Sequence, residues 1–315
     1  QYYEDYKKLL HKKDVKLEDI HKYMVECVSF IDRPSEPLFV VKSKCGVSAF
    51  NNQVHTIRTD TAKTLFKNYQ DITLVTSDEK EPEVLKFSKI LNNLLTVRRI
   101  PTYTSTIWLP YLAKNPPKHI NQNQYNLFTG FALEKVPSNK IDFTKTQIFD
   151  LITKLGGKNV DYLLNFLAYK LQFPSDKKPI GLCFINSKPG QGKGSFGVFL
   201  ERLFACDSTS YVAFNNLDSF SNGFNAIMTR ALFVCLEEIT AKRNCLRAFN
   251  GLLKDRISSC QIMEEIKCRE RVLRPWYSNI IIYSNDFNVM SCAKNDRRLV
   301  FFESDDSKAN NKAYF

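Results

Sequence analysis

The stretch that decides the fold is IGLCFINSKPGQGKGSFGVFLERLF, residues 180–204. Its first part is a continuous apolar run, its middle is rich in glycine, and its last part has helical spacing. A strand followed by a glycine-rich loop with a lysine and then a helix is the context in which proteins cradle phosphate groups. Glycines let backbone N–H groups turn toward phosphate oxygens, and the start of the helix adds the positive end of its dipole.

We therefore predict a nucleotide phosphate-binding loop in this stretch. Lys193 would reach the outer phosphates as a point charge. The loop departs from the strict GxxxxGK[ST] pattern at Ser187 and at Gly194. The hydroxyl that usually binds Mg²⁺ would then come from Ser195, and a glycine-rich turn without a ligand is the alternative. The residues expected to bind the nucleotide are Pro189, Gly190, Gln191, Gly192, Lys193, Gly194 and Ser195.

Two later apolar runs carry polar side chains where each run ends. The run 231–236 is followed by Glu237 and Glu238, and the run 279–284 is followed by Asn285. Apolar runs of this kind indicate strands that are buried on both faces, as in a parallel sheet. We expect Glu237 to hold Mg²⁺, Glu238 to orient the attacking water and Asn285 to contact the γ-phosphate. Solvated turns are the alternative for each site taken alone.

A fourth apolar run, LVFFE at 299–303, directly follows Arg297 and Arg298. Arginine can stabilise the charge of a transferring phosphoryl group, often from a neighbouring subunit. We expect Arg298, and with less weight Arg297, to take this role. A surface pair that flanks a strand is the alternative.

Composition narrows the function classes without deciding among them. The net charge of +12 attracts polyanions. Nucleic acid is the first candidate ligand and an anionic membrane surface is the second. The alternative is an ordinary basic surface that binds neither. No apolar run is long enough to span a membrane. Nine scattered cysteines without a CxxC pair, and four distant histidines, argue against disulfides and zinc. We therefore expect a reducing, intracellular compartment and no membrane partner.

The chain is predicted to have an N-terminal accessory or collar region at 1–140 and an α/β domain with a central, largely parallel sheet at 141–315. The accessory region should mix helices and strands. Helical spacing runs through 1–32, 60–70 and 79–97, strands are expected at 37–48 and 54–58, and residues 100–124 indicate an extended connector. Residues 142–173 predict two helices with a break at Gly156 and Gly157.

These motifs, in this order, resemble the superfamily 3 helicases, within the branch of phage, plasmid and large-virus primase–helicases. The resemblance covers roughly residues 100–304. It rests on PGQGKGSF, FVCLEE, IIIYSN and DRRLVFF, with YNLFTGFALEK at 125–135 and VDYLLNFLAYKLQFP at 160–174 upstream. The GKG form of the loop also occurs in that branch. The resemblance implies an AAA+-like P-loop ATPase core.

The resemblance further implies an ATP-dependent helicase or translocase of DNA replication that uses ATP and Mg²⁺. It implies a homohexameric ring in which ATP lies between subunits, on single-stranded or forked DNA, with RNA as an alternative. A basic hairpin would contact the nucleic-acid backbone through Lys254, Arg256, Lys267 and Arg269. A primase domain or subunit is an expected partner, and the cytoplasm or nucleus of a host cell is the expected location if the protein is viral. The alternatives are an ATPase motor for packaging or remodelling, and a nucleic-acid-binding scaffold with a degenerate nucleotide site.

Overall fold

The computed structural model forms two compact units. The first contains residues 1–107 and 118–129, and the second contains residues 108–117 and 130–315. This division falls at Thr129, whereas the predicted boundary lies at residue 140; the roles assigned to the two parts stay predictions. The structure describes residues 17–32, 37–41, 55–58, 72–74, 83–85, 100–118, 120–135, 142–185, 190–206, 210–221, 225–237, 246–266, 271–285 and 296–304.

The first unit is built on a four-stranded sheet. Helix α1 (Leu17–Cys27) leads directly into strand β1 (Val28–Ile31). The sheet order is β3-β2-β1-β6, in which β2 and β3 run antiparallel and β6 pairs with β1 in parallel. Two further strand pairs, β4 with β5 and β7 with β8, complete the described part of this unit. The bounds are β2 Leu38–Val41, β3 His55–Arg58, β4 Ile72–Leu74, β5 Glu83–Leu85, β6 Thr102–Tyr103, β7 Ser105–Ile107 and β8 Gln124–Asn126.

Local sequence spacing was an incomplete guide to this unit. The helical prediction for 1–32 is wrong at β1, where Val28 and Ile31 are fully buried in the sheet. The helical prediction for 79–97 is wrong at β5, and the rest of that segment lies outside the described residues. Strand pairing outweighs local spacing at these places because propensity is a weak prior against tertiary context.

The second unit begins with the two predicted helices. Helix α2 (Gln147–Gly156) is capped by Thr146, whose hydroxyl accepts a hydrogen bond from the backbone N–H of Phe149. Helix α3 (Val160–Gln172) follows after a short 3₁₀ turn at Gly157–Asn159. The break at the glycine pair is thus confirmed. Gly157 has φ +51°, and a Cβ there would lie 2.3 Å from the carbonyl oxygen of Glu303.

A five-stranded parallel sheet forms the centre of the second unit. The four apolar runs predicted as strands are β9 (Gly181–Ile185), β11 (Phe233–Glu237), β14 (Asn279–Ser284) and β15 (Leu299–Glu303). A fifth strand, β10 (Tyr211–Phe214), was not predicted because its exposure alternates and its run is short. The sheet order is β10-β11-β14-β9-β15, and every neighbouring pair is parallel. The predicted α/β class with a central parallel sheet is confirmed.

The core of the second unit lies between this sheet and the helices. In the sequence, helix α4 (Lys193–Leu203) follows β9 and the short helix α5 (Leu217–Ser221) follows β10. Helix α6 (Leu246–Ser258) comes after β11 and before β14 in the sequence. An antiparallel hairpin, β12 (Gln261–Glu264) with β13 (Val272–Pro275), precedes β14. The fully buried Trp276 indole packs in the cluster around the sheet. Among the described residues, no helix is long and apolar enough to cross a bilayer.

Candidate functional site

The strand register brings the predicted polar strand ends to one edge of the sheet. Ser284 of β14 is paired with Ile185 of β9, and Glu237 of β11 is paired with Tyr283. The carboxyl ends of β9, β11 and β14 are therefore level with one another. Asn285 and Glu237 lie at this edge, where β9 also ends. In open parallel sheets, ligands bind outside the carboxyl ends of the strands.

The glycine-rich loop enters α4 through two left-handed residues. Gly190 has φ +75° and Gly192 has φ +89°, a region that L-residues with side chains rarely adopt. Gly192 is the N-cap of α4 and makes no side-chain capping hydrogen bond. A helix start of this kind can bind an anion through its first-turn N–H groups, at the positive end of the helix dipole. Beside them, the Gln191 side chain is buried, and its Oε1 has no hydrogen-bond partner within the described part of the chain.

Lys193 directly joins two of the predicted site elements. Its Nζ donates a hydrogen bond to Asn285 Oδ1 at 2.6 Å and lies 3.5 Å from the carbonyl oxygen of Ser284. The first residue of α4 thus reaches across β9 to the end of β14. An ammonium group held by an amide oxygen and a backbone carbonyl can exchange those neutral acceptors for phosphate oxygens, which form stronger charge-assisted hydrogen bonds.

Buried hydroxyl and thiol groups lie beneath this edge. Burial raises the pKa of the Cys235 thiol well above its usual range; the Glu237 carboxylate raises it further, and the Lys193 ammonium lowers it. Burial likewise raises the pKa values of the Tyr211 and Tyr283 hydroxyls, with Glu237 adding to both. These three groups stay neutral near pH 7. The charges of Glu237 and Lys193 therefore act on one shared, low-dielectric region.

The first turn of α4 also shows how the irregular lysine motif is accommodated. Gly194 and Ser195 are both exposed. A Cβ on Gly194 would meet nothing within 4 Å, so the fold itself does not require glycine there. The open space above Gly194 lies on the same turn as Lys193. The first turn thus leaves room for a ligand at the position where the strict motif has a hydroxyl.

A cavity of about 680 Å³ lies at the carboxyl ends of β9 and β15. Ile185 at the end of β9 contributes to its wall, and Phe301 and Phe302 of β15 contribute another side. The Asn159 amide donates a hydrogen bond to the Phe301 carbonyl oxygen at 3.0 Å, which joins the turn before α3 to β15. The remaining lining residues are Gly156, Gly157, Lys158, Asn159, Glu303 and Ser304.

The predicted arginine lies at the opposite edge of the sheet. Arg298 precedes β15, and its carbonyl oxygen accepts a hydrogen bond from the backbone N–H of Gly181, the first residue of β9. Five strand residues at about 3.3 Å each separate this edge from the end of β9. Arg298 is therefore not part of the Lys193 cluster within one chain. Arg297 is exposed beside it.

Two of the predicted nucleic-acid contacts are described. Lys254 pairs with Asp296, with 3.6 Å between Nζ and Oδ2. The Arg256 guanidinium carbon lies 5.6 Å from the centre of the Trp276 ring, and burial lowers the pKa of this arginine. Arg256 thus packs partly inward, which leaves Lys254 as the more accessible of the two. The Lys254 ammonium stays close to the protein surface through its partner.

A hairpin is present at β12–β13, but Lys254 and Arg256 lie on α6 and not on it. The Arg274 Nε lies 2.9 Å from a Glu264 oxygen, and the other Glu264 oxygen accepts a hydrogen bond from Thr229 at 3.0 Å. These contacts hold the end of β12 that is nearest to the hairpin turn. Four predicted site residues lie outside the described residues: Pro189, Glu238, Lys267 and Arg269. Within the described part of the chain, no cluster of three or more metal-ligating side chains occurs.

Sequence reasoning missed two features of this unit. The cavity is lined by three segments that are far apart in sequence, the turn at 156–159, the end of β9 and residues 301–304, so no local pattern could reveal it. Asp296 was visible in the DRR triplet, but its low side-chain exposure of 6% and its two cationic neighbours depend on tertiary structure. The sequence signal for this contact was the acidic residue directly before two arginines.

The fold of the chain is similar to solved structures of the NrS-1 C-terminal region. One apo structure, of residues 305–718, has a TM-score of 0.65 and 20% identity, and the match covers 94% of this chain and 63% of that one. Its A form has a TM-score of 0.62 at 20% identity, covering 93% and 62%. Another A-form apo structure has a TM-score of 0.65 at 19% identity, covering 95% and 64%. This chain thus spans a little under two thirds of those structures, and the likeness is one of fold.

The family comparison matches part of the second unit. Residues 185–298 match a family of unknown function, DUF5906. This range begins at the end of β9 and ends at Arg298, so it contains the glycine loop, the Lys193 and Asn285 pair and the hairpin. No curated protein sequence matches the chain.

Proposed function

We propose that the second unit binds ATP with Mg²⁺ and hydrolyses it to drive movement along nucleic acid, as a helicase or translocase of DNA replication. The observation that carries this proposal is the 2.6 Å contact between Lys193 Nζ and Asn285 Oδ1, at the start of a helix whose N-cap residue is a glycine. The lysine of the glycine loop and the amide at the neighbouring strand end meet at the place that their order in the sequence predicted.

The residues present fit a magnesium triphosphate. The first-turn N–H groups of α4 and the Lys193 ammonium suit phosphate oxygens, and the buried Gln191 Oε1 can accept a hydrogen bond from a ligand. Glu237 supplies a carboxylate for Mg²⁺, directly or through water, and the exposed Ser195 supplies the hydroxyl. Held there, Mg²⁺ would supply positive charge to offset the negative charge of the phosphates. The cavity beside β9 has the volume for a nucleoside.

The remaining roles in hydrolysis follow from position. Glu238, directly after Glu237 in sequence, orients the attacking water. Asn285 contacts the γ-phosphate and links its presence to the end of β14. Because Arg298 lies at the far edge of the sheet, it acts on the nucleotide of a neighbouring copy, with Arg297 as the second candidate. This requirement for a neighbour supports a ring of identical subunits, which we propose to be a hexamer.

Nucleic acid is the polymer along which we propose that the protein moves. Lys254 and Arg256 on α6, with Lys267 and Arg269 between β12 and β13 in the sequence, contact phosphates without reading sequence. Single-stranded or forked DNA is the proposed substrate. The net charge of +12 favours this polyanion. A primase, as a further domain or a separate subunit, is the proposed functional partner.

Single-stranded-DNA-stimulated ATP turnover of the full chain tests this proposal. Stimulated turnover and strand displacement on a forked duplex are expected, and Lys193→Ala should abolish both. Lys145→Ala removes an exposed lysine of the same unit, with 82% side-chain exposure, and should leave both activities unchanged.

Two other results would replace the proposal. Turnover without displacement points to a packaging or remodelling motor. DNA binding without turnover points to a scaffold with a degenerate nucleotide site, which the irregular Gly194 position favours.

A further inference from the structure

One carboxylate contacts two cations that the proposed mechanism assigns to different tasks. Asp296 Oδ2 lies 3.6 Å from Lys254 Nζ, and Asp296 Oδ1 lies 3.8 Å from Arg298 Nε. The same Oδ1 accepts a hydrogen bond from the backbone N–H of Arg298 at 3.1 Å. The Asp296 side chain is only 6% exposed, whereas those of Lys254 and Arg298 are 39% and 37% exposed.

The exposures show which of these groups can move. Asp296 is the buried and fixed member, and its charge has to be balanced where it lies. Lys254 and Arg298 each present more than a third of their side chains to solvent and can turn toward an external anion. Lys254 comes from α6, which follows β11, and Arg298 stands at the start of β15. Asp296 thus connects two elements that are far apart in sequence.

From this shared contact we infer that Asp296 positions Arg298 and couples it to nucleic acid through Lys254. This inference rests on the proposed function. A nucleic-acid phosphate that draws Lys254 away leaves Arg298 as the one remaining cation of the two that pair with Asp296 among the described residues. A buried carboxylate with one remaining cation binds that cation more tightly, because the cost of its uncompensated charge is high. Arg298 is then fixed in one orientation toward the neighbouring subunit's nucleotide.

This arrangement gives nucleic acid a physical route to the hydrolysis site. Without nucleic acid, Arg298 shares its carboxylate with Lys254 and is held loosely. With nucleic acid bound, Arg298 is held firmly. An arginine supplied from a neighbouring subunit raises phosphoryl-transfer rates by roughly 10³–10⁵. A modest loss of its orientation should therefore lower the stimulated kcat about tenfold while leaving the KM for ATP within about twofold.

The test compares Asp296→Asn, Lys254→Met and the double variant in the full chain. Asp296→Asn removes the charge and keeps an oxygen for the Arg298 N–H. We measure kcat and KM for ATP with and without saturating single-stranded DNA. Asp296→Asn should lower the stimulated kcat about tenfold, and Lys254→Met should have no further effect on kcat in that background. Additive losses, or full stimulation in Asp296→Asn, would overturn the inference. Asp142→Asn, at an exposed aspartate that pairs with Lys145, is the matched charge control.

A mixing experiment separates positioning from a merely structural role. Lys193→Ala subunits cannot hydrolyse ATP but carry an intact Asp296 and Arg298. Mixed with Asp296→Asn subunits, they should restore stimulated turnover, because they present a held Arg298 to the functional sites of their neighbours. If the mixture does not restore stimulated turnover, the inference is wrong. The same conclusion applies if Asp296→Asn folds poorly. If Lys193→Ala alone turned over ATP at the parental rate, the proposed function would fail instead, and the two failures are therefore distinct.

Discussion

The contact between Lys193 and Asn285 makes a quantitative prediction about nucleotide affinity. In Asn285→Asp, the amide oxygen that accepts from Lys193 Nζ at 2.6 Å becomes a carboxylate oxygen. A charge-assisted hydrogen bond is about twice as strong as a neutral one, and an exposed ion pair is worth up to about 1 kcal/mol. Because Asn285 is exposed, we expect the new carboxylate to stabilise its contact with Lys193 by about 1 kcal/mol. The nucleotide has to overcome this free energy when it binds the lysine.

This competition should weaken ATP binding about fivefold, since RT is about 0.6 kcal/mol at room temperature. Repulsion between the new carboxylate and the γ-phosphate adds to the effect. Asn285→Ala should behave differently. It removes the side-chain acceptor from Lys193 without adding a charge, so affinity should change by less than about twofold, whereas kcat should fall because the γ-phosphate loses its amide contact.

Isothermal titration with a slowly hydrolysed ATP analogue, together with steady-state kinetics, measures both quantities. Asn216→Asp is the matched control. Asn216 is an exposed asparagine of the same unit whose Oδ1 caps the backbone N–H of Ser219, and aspartate caps equally well. Unchanged affinity in Asn285→Asp, or a parental kcat in Asn285→Ala, would refute the reasoning that links this amide to the nucleotide.

Three further predictions concern stability and the loop. Gly157→Ala should destabilise the protein by about 2 kcal/mol or more in urea unfolding, because the new Cβ would lie 2.3 Å from the Glu303 carbonyl oxygen at a residue with positive φ. Gly251→Ala is the control, and it should stabilise the protein by about 0.5–1 kcal/mol because its Cβ meets nothing within 4 Å. Equal effects of the two substitutions would contradict the packing argument. Gly194→Ser should fold normally and tighten Mg²⁺-dependent ATP binding in titrations at several Mg²⁺ concentrations, and weaker binding would show that the ligand needs the open space. Burial lowers the pKa of Lys170 to about 7, so between pH 7 and about 10 the unfolded chain binds more protons and stability should rise with pH, on the order of 1 kcal/mol per pH unit. Lys170→Met should reduce that slope in urea unfolding at pH 7, 8 and 9 without abolishing it, because burial also lowers the pKa of Lys177 to about 7; an unchanged slope would contradict the prediction.

The sequence predicted the second unit well because its signals are local and strong. Each of the predicted strands β9, β11, β14 and β15 is a continuous apolar run. Runs of this kind are typical of strands that are buried on both faces of a parallel sheet. The paired glycines before Lys193 mark the loop because their positive φ values exclude most other residues.

The features that sequence analysis missed depend on contacts between distant segments. β10 alternates between buried and exposed positions, and it forms a strand because it pairs with β11 at the sheet edge. The same holds for β1, where burial against β2 outweighs the helical spacing of the preceding residues. Asp296 acquires its importance only when α6 brings Lys254 beside it. None of these neighbours can be deduced from spacing along the chain.

Equilibrium binding of magnesium ATP to the parental chain and to Lys193→Ala tests the central claim most directly. The account predicts saturable binding with one nucleotide per chain, weakened roughly tenfold to a hundredfold by the substitution, as expected for losing a charged hydrogen-bond donor worth about 1.5–3 kcal/mol. Equal affinity in the two proteins, or no binding by the parental chain, would contradict it.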